Sequence, residues 1–193
     1  MTSPTDLVYI DEYGLLGSNF YWHKYATHGL SKEDILEARL MNDRVQVSAQ
    51  IIDKLIAIDA ELQKRGQRLY IKEGYRSEIL YKIVYKRRIE KYGKEATDSL
   101  LNMDAMPHAL GLSVDVAMWN ATEGKEVYMR KGDDGAPALF IGFYKGKEDP
   151  ESKRYQELQD DLAELMMRYG FRIGTKSEYF HFDYRPDTAP NYP

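Results

Sequence analysis

The segment Leu112 to Trp119, reading Leu-Ser-Val-Asp-Val-Ala-Met-Trp, constrains the fold of this chain more than any other stretch. Its valines and its aromatic and sulfur side chains mark a strand buried inside a sheet. In its middle stands Asp115. An ionised carboxylate taken out of water among Val114, Val116 and Met118 is costly unless it is paired or bound to a metal. The two-residue alternation of a strand sets Asp115 on the face opposite those three, beside Ser113 and Ala117. One face of the strand is therefore polar or small, and a site can open there.

His108 precedes Asp115 by seven positions, with Gly111 between them. The glycine lets the chain turn sharply, so that both side chains can reach one ion. A second segment, Ser-Glu-Tyr-Phe-His-Phe-Asp-Tyr from Ser177 to Tyr184, places His181 inside an aromatic strand, three residues after Glu178. Residues three apart in a strand face opposite ways, so Glu178 and His181 converge only if Glu178 lies in the turn before the strand or at a bulge. Given that, His108, Asp115 and His181 make a three-ligand zinc set, one ion per chain, with the fourth position left for water. Glu178 is then placed to take the water's proton as general base and pass it to a leaving amine. Each residue also has a plainer reading. The histidines can be hydrogen-bonded core or surface residues, Asp115 can cap a turn or pair with an arginine, and Glu178 can be a solvated loop acid.

The rest of the chain supplies a frame. From Arg44 to Arg65 the apolar positions Val47, Ile51, Ile52, Leu55, Ile58 and Leu62 recur at helical spacing, with Gly66 as a stop. Leu69 and Ile71 alternate with polar residues as in a strand ending at Gly74, Tyr75 and Arg76. Ser77 then caps a helix running to about Tyr92. Asp149 and Pro150 form an N-cap and first-turn proline. The helix they start carries Tyr155, Leu158, Leu162, Leu165, Met166 and Tyr169 inward and stops at Gly170. Leu7 to Asp11, Phe20 to Tyr25, Phe171 to Ile173 and Tyr179 to Tyr184 read as further strands. This order predicts an α+β fold, a single domain over residues 1–193 whose mainly antiparallel central sheet is flanked by helices, with the zinc site at the sheet.

Composition narrows the partners. There is no cysteine, so no disulfide frame and no thiolate nucleophile or ligand exist, and any transition metal must sit on histidine and carboxylate. The net charge is -4, with lysine and arginine scattered along the chain. That argues against nucleic acid or an anionic membrane and in favour of a small neutral or zwitterionic substrate. Met1 to Leu7 carries neither a basic stretch nor an apolar run of export-signal type, and no apolar segment approaches a membrane span. A cytoplasmic location is expected, with export open if a leader has been removed. His23 and His28, near the start in aromatic and glycine contexts, read as structural. Nothing in the residues sets the oligomeric state.

Together these segments resemble the D-alanyl-D-alanine dipeptidase family of zinc metallopeptidases, the vancomycin-resistance-type enzymes and their relatives. The resemblance rests on Leu7 to Asp11 and Phe20 to Thr27 near the start, on Gly74-Tyr75-Arg76, on His108 to Asp115 with the glycine between, and on Glu178-Tyr179-Phe180-His181. It implies a zinc peptidase acting on a short peptide containing D-amino acids, D-Ala-D-Ala above all. In that reading Glu178 is the base, and Arg76 stabilises the oxyanion of the tetrahedral intermediate or holds the scissile carbonyl. Without the resemblance, Arg76 reads as a salt bridge at a helix end. Two departures stand out. Met106 occupies a position where the family commonly has serine, and Ala138 to Phe143 lacks the acid that would hold a substrate's amino terminus. Asp133 and Asp134 lie close by in a charged turn that reads as solvated. A peptidoglycan carboxypeptidase or endopeptidase of the same chemistry, and a non-catalytic zinc-containing peptide-binding module, are the competing expectations.

Overall fold

Side-chain caps open four of the helices among the described residues, and one of them overrides aromatic strand propensity. The computed structural model describes residues 6–98, 101 and 103–192. Met1 to Thr5, part of the stretch read for an export signal, lie outside the described residues. Strand β1 (Leu7–Tyr9) passes into a 3-10 turn (Ile10–Tyr13) and the short β2 (Leu16–Gly17). Phe20 to Tyr25, expected as a strand, is instead mostly helix α1 (Phe20–Lys24). The Asn19 side chain accepts hydrogen bonds from the backbone N–H of Tyr21 and Trp22, at 3.0 and 3.3 Å, which satisfies two donors that a strand would have paired elsewhere. Tyr21 then packs with Leu30, Ile35, Ala38, Leu80 and Val84.

Helix α2 (Lys32–Glu37) opens on a capping box between Ser31 and Asp34. The predicted helix from Arg44 is shorter at its start: Gln46–Ser48 forms β3, antiparallel to β1, and α3 covers Ala49–Gln63. Its predicted inward residues, from Val47 to Leu62, are all buried. Strand β4 (Gln67–Glu73) and helix α4 (Glu78–Tyr92) follow as expected, the latter with Leu80 N–H donating to the Ser77 hydroxyl at 3.1 Å. Helix α5 (Lys94–Asp98) comes next, then a 3-10 turn over Pro107–Leu110, β5 (Ser113–Asn120) and β6 (Lys125–Glu126). Two further 3-10 turns, Gly132–Asp134 and Ala136–Leu139, lead to α6 (Pro150–Arg168), capped by Asp149 as predicted. Strands β7 (Phe171–Ile173) and β8 (His181–Tyr184) close the chain, β8 starting two residues later than the sequence suggested.

The α+β class expected from the sequence is the one observed. The main sheet has the hydrogen-bonded order β2-β4-β5-β8-β7, with β6 added on β5. The β5–β6 and β7–β8 ladders are antiparallel. By its contacts the chain divides into two compact units, one of residues up to Ile52 with Ile71–Val114, the other of Asp53–Tyr70 with Asp115–Pro193. In the first, the cluster around Tyr21 and Leu80 forms a core. In the second, Ala138, Tyr144 and Tyr155 form one cluster, and Leu162, Leu165, Met166, Phe171 and Phe182 are buried. None of the helices among the described residues is long and apolar enough to cross a membrane.

Candidate metal centre

The main chain aims His108. The residue before its 3-10 turn, Met106, holds a left-handed conformation with φ 38° and ψ 63°, and Gly111 ends the turn at φ 68°. Gly111 N–H donates to the His108 carbonyl at 3.0 Å. A Cβ on Gly111 would lie 2.8 Å from Ser48 N and 2.9 Å from Leu7 Cδ2, so both conformation and space call for glycine. The buried His108 donates its backbone N–H to the Tyr81 hydroxyl at 3.0 Å, and its Nδ1 lies 2.7 Å from the Gly74 carbonyl oxygen. A carbonyl only accepts, so Nδ1 carries a proton and Nε2 is the nitrogen that can offer a lone pair to a metal when the ring is neutral.

Asp115 and His181 are brought side by side by the sheet. Val116 N–H donates to the Phe180 carbonyl at 3.0 Å, which sets β8 against β5. His181 Nδ1 then lies 2.8 Å from Asp115 Oδ1, and its Nε2 lies 3.2 Å from Asp183 Oδ1. Burial opposes charge on this imidazole, but the two carboxylates outweigh it and push its pKa up to about 10. A metal taking Nδ1 must displace that proton. The Asp115 side chain stays 17% exposed, so the carboxylate is not sealed in apolar surroundings.

His108, Asp115 and His181 each offer a ligand atom, and these atoms lie within 4.8 Å of one another. Ligand atoms about 2 Å from a shared zinc stand roughly 3 to 4 Å apart, inside the 4.8 Å limit that these atoms meet. Two imidazoles and one carboxylate form a donor set that suits zinc, with a coordination position to spare.

Glu178 occupies one of the two positions from which the sequence would let it face the same way as His181. It lies in the turn before β8, not in the strand, and its carbonyl accepts from His181 N–H at 3.2 Å. Tyr179 N–H donates to the Leu139 carbonyl at 2.9 Å and Ile141 N–H to the Lys176 carbonyl at 3.0 Å. These bonds pin the turn and leave Glu178 half-buried. Burial also pushes the Tyr179 hydroxyl up to about 12.

Arg76 follows β4 and is buried. Its Nε and Nη2 donate to the two carboxylate oxygens of Glu73 at 2.7 and 2.5 Å, and its guanidinium lies 4.9 Å from the Tyr21 ring centre and 4.5 Å from that of Tyr81. Burial works against the charge, yet Glu73 and the tyrosines hold it well above its ordinary value. Arg76 N–H also donates to the His108 carbonyl at 3.1 Å, tying the arginine's main chain to the histidine's turn.

His23 and His28 are not members of the metal-capable group. His23 pairs with Asp43 at 3.5 Å on the surface. His28 packs against Phe20 at 4.8 Å, and burial followed by the charges of Arg88 and Lys91 lowers its pKa. Asp134, expected to be solvated, accepts from the Tyr144 hydroxyl at 2.7 Å, and Ala138 is a core residue. Sequence reasoning missed Glu73, Tyr81, Asp183 and the Gly74 carbonyl. Of these, Asp183 had a signal, since it lies two residues past His181 and so on the same strand face.

No family model and no curated protein matches the chain. Among solved structures it is similar to the LdcB LD-carboxypeptidase, described with respect to peptidoglycan recognition, with 17% identity and a TM-score of 0.52 over 96% of this chain and 71% of that one. It is also similar to the vancomycin-resistance D,D-pentapeptidase VanY in complex with Zn(II), at 17% identity and a TM-score of 0.47 over 72% of each chain. A third likeness is to the D,D-dipeptidase VanXYg with a D-Ala-D-Ala phosphinate analog, at 17% identity and a TM-score of 0.41, covering 92% of this chain and 66% of that one. The first of these likenesses shows a shared fold.

Proposed function

We propose that this chain is a zinc-dependent peptidase that cleaves a short peptide containing D-amino acids, with D-Ala-D-Ala as the leading substrate and residues 1–193 acting as one catalytic domain. The observation that carries this reading is the convergence of His108, Asp115 and His181 within 4.8 Å, in a chain that shares the fold of an LD-carboxypeptidase. Zinc, when bound, acts as a Lewis acid on a carbonyl and makes water acidic enough to ionise near neutral pH. His108 offers Nε2, His181 offers Nδ1 and Asp115 an oxygen. Glu178, in its pinned turn beside His181, holds the proton released by water and returns it to the departing amine. Arg76, with a charge fixed by Glu73, stabilises negative charge developing on the scissile carbonyl oxygen.

A second reading, a peptidoglycan carboxypeptidase of the same chemistry, is favoured by the likeness to LdcB across 96% of this chain. One experiment addresses both. The zinc-loaded protein is incubated with D-Ala-D-Ala and, separately, with stem tetrapeptide and pentapeptide, beside a chelator-treated sample and the Glu178→Ala variant. Free D-alanine from the dipeptide, lost in both controls, supports the dipeptidase. Release only from the stem peptides moves the assignment to the carboxypeptidase. No release from any of them by a zinc-bound chain overturns the peptidase reading in favour of a binding module.

A further inference from the structure

Strand β8 carries a second carboxylate that the metal set does not use. Asp183 is 5% exposed, and its Oδ1 lies 3.2 Å from His181 Nε2, at the ring edge away from Nδ1 and Asp115. Its other oxygen, Oδ2, accepts from Arg185 Nη2 at 2.5 Å. The ring also lies against bare main chain: a Cβ on Gly174 would stand 2.2 Å from His181 Cδ2, 2.4 Å from Nε2 and 3.1 Å from Asp183 Cγ. Gly174 N–H in turn donates to the His181 carbonyl at 3.2 Å. Imidazole, carboxylate and glycine thus form one packed unit.

We infer that Asp183 is a positioning residue, holding His181 in the tautomer and orientation that present Nδ1 to a metal, with Arg185 anchoring the carboxylate and Gly174 leaving room for the ring. The inference rests on the reading of His108, Asp115 and His181 as ligands. A neutral imidazole has one N–H, and its acceptors decide which nitrogen bears it. Asp115 faces Nδ1 at 2.8 Å and Asp183 faces Nε2 at 3.2 Å, and an ionised carboxylate cannot donate, so once a metal takes the place of the Nδ1 proton the remaining N–H sits on Nε2 with Asp183 as its acceptor. Asp183 cannot share the ion itself, because the two ring nitrogens point away from each other. The two histidines are therefore set in opposite senses. His108 is held at Nδ1 by the neutral carbonyl of Gly74 and offers Nε2, whereas His181 is held at Nε2 by a charged acceptor, the stronger kind of hydrogen bond, and offers Nδ1.

The test uses the full chain with Asp183→Ala and Asp183→Asn, and Gly174→Ala as a change that crowds the ring without touching the carboxylate. Zinc dissociation constants are measured by chelator competition, and the imidazole nitrogens of the zinc-loaded proteins by 15N NMR. Asp183→Ala is expected to weaken zinc binding about 10- to 100-fold, with Asp183→Asn losing less because it keeps an acceptor oxygen. In the wild type the His181 signals should show a metal-bound Nδ1 and a protonated Nε2, and this pattern should blur or exchange in Asp183→Ala, a change that a purely structural role would not produce. Should Asp183→Ala fail to fold, Asp183→Asn decides. Variants that match the wild type in both affinity and nitrogen signals overturn the inference alone. A wild type that takes up no zinc overturns the ligand reading and this inference with it.

Discussion

His108 Nδ1 lies 2.7 Å from the carbonyl oxygen of Gly74, so a main-chain atom orients this ligand. Gly74 itself presses on β3: a Cβ there would fall 2.2 Å from the Gln46 carbonyl oxygen and 2.7 Å from Val47 Cγ1. The nearest obstacle is backbone, which cannot swing aside. Gly74→Ala is therefore expected to cost about 1–3 kcal/mol through overpacking and to turn the carbonyl away from His108. Thermal melting and zinc titration check the two effects. A lowered melting temperature with unchanged zinc affinity would show that the carbonyl does not orient the ligand.

Glu178 presents its backbone carbonyl to His181 N–H at 3.2 Å, and a side-chain substitution keeps that bond. Glu178→Gln should therefore leave fold and zinc content intact while lowering kcat by about 10²- to 10⁴-fold, the usual contribution of a general base. Metal analysis beside steady-state kinetics measures both. Loss of zinc in parallel with turnover would make Glu178 part of the metal set and remove it as the base.

These two residues show where the sequence speaks and where it is silent. Helices α3, α4 and α6 announced themselves through apolar spacing and through Ser77 and Asp149, because those signals are local. The sequence read Asp115 and His181 as ligands of one ion, because a carboxylate in an apolar strand demands a partner, but not the direct contact between them at 2.8 Å. The helix at Phe20–Lys24 was not legible: its aromatics favour strands, and only the capping bonds from Asn19 and the packing of Tyr21 decide otherwise. The Gly74 carbonyl was hidden for another reason, since every residue has a carbonyl and only tertiary structure selects one. Glu73 stood three residues from Arg76, but whether a strand end and the following turn bring such a pair together depends on the bend between them.

Acid should reveal a second charge pair. Asp34 accepts from Ser31 N–H at 2.8 Å and from Arg87 Nε and Nη2 at 3.0 Å each. The Arg87 hydrogen bond leads the effects that lower its pKa below the ordinary 3.8. A carboxylate with a lowered folded-state pKa stabilises the native state above its unfolded value, and that contribution fades as pH falls through the folded value. Asp34→Asn should accordingly be less stable than wild type by on the order of 1 kcal/mol at neutral pH, with the gap closing in the acid range below the ordinary value. Urea unfolding across pH tests this, and a gap that widens with acid would contradict the sign.

The buried pair of Arg76 and Glu73 separates stability from chemistry. Arg76→Met leaves the Glu73 carboxylate, only 2% exposed, without its partner, and Glu73→Leu does the same to the guanidinium. Breaking a buried ion pair from one side costs about 3–5 kcal/mol, whereas replacing both charges with apolar groups of similar volume is often near neutral. The double variant Arg76→Met with Glu73→Leu is thus expected to regain much of the stability that either single change loses, as a denaturant double-mutant cycle will measure. Activity should not follow stability. If Arg76 acts on the scissile carbonyl oxygen, the double variant stays folded, binds zinc and remains slow, its kcat reduced by about 10²-fold or more. A double variant that recovers both stability and turnover would confine Arg76 to holding the end of β4 and the turn that follows it.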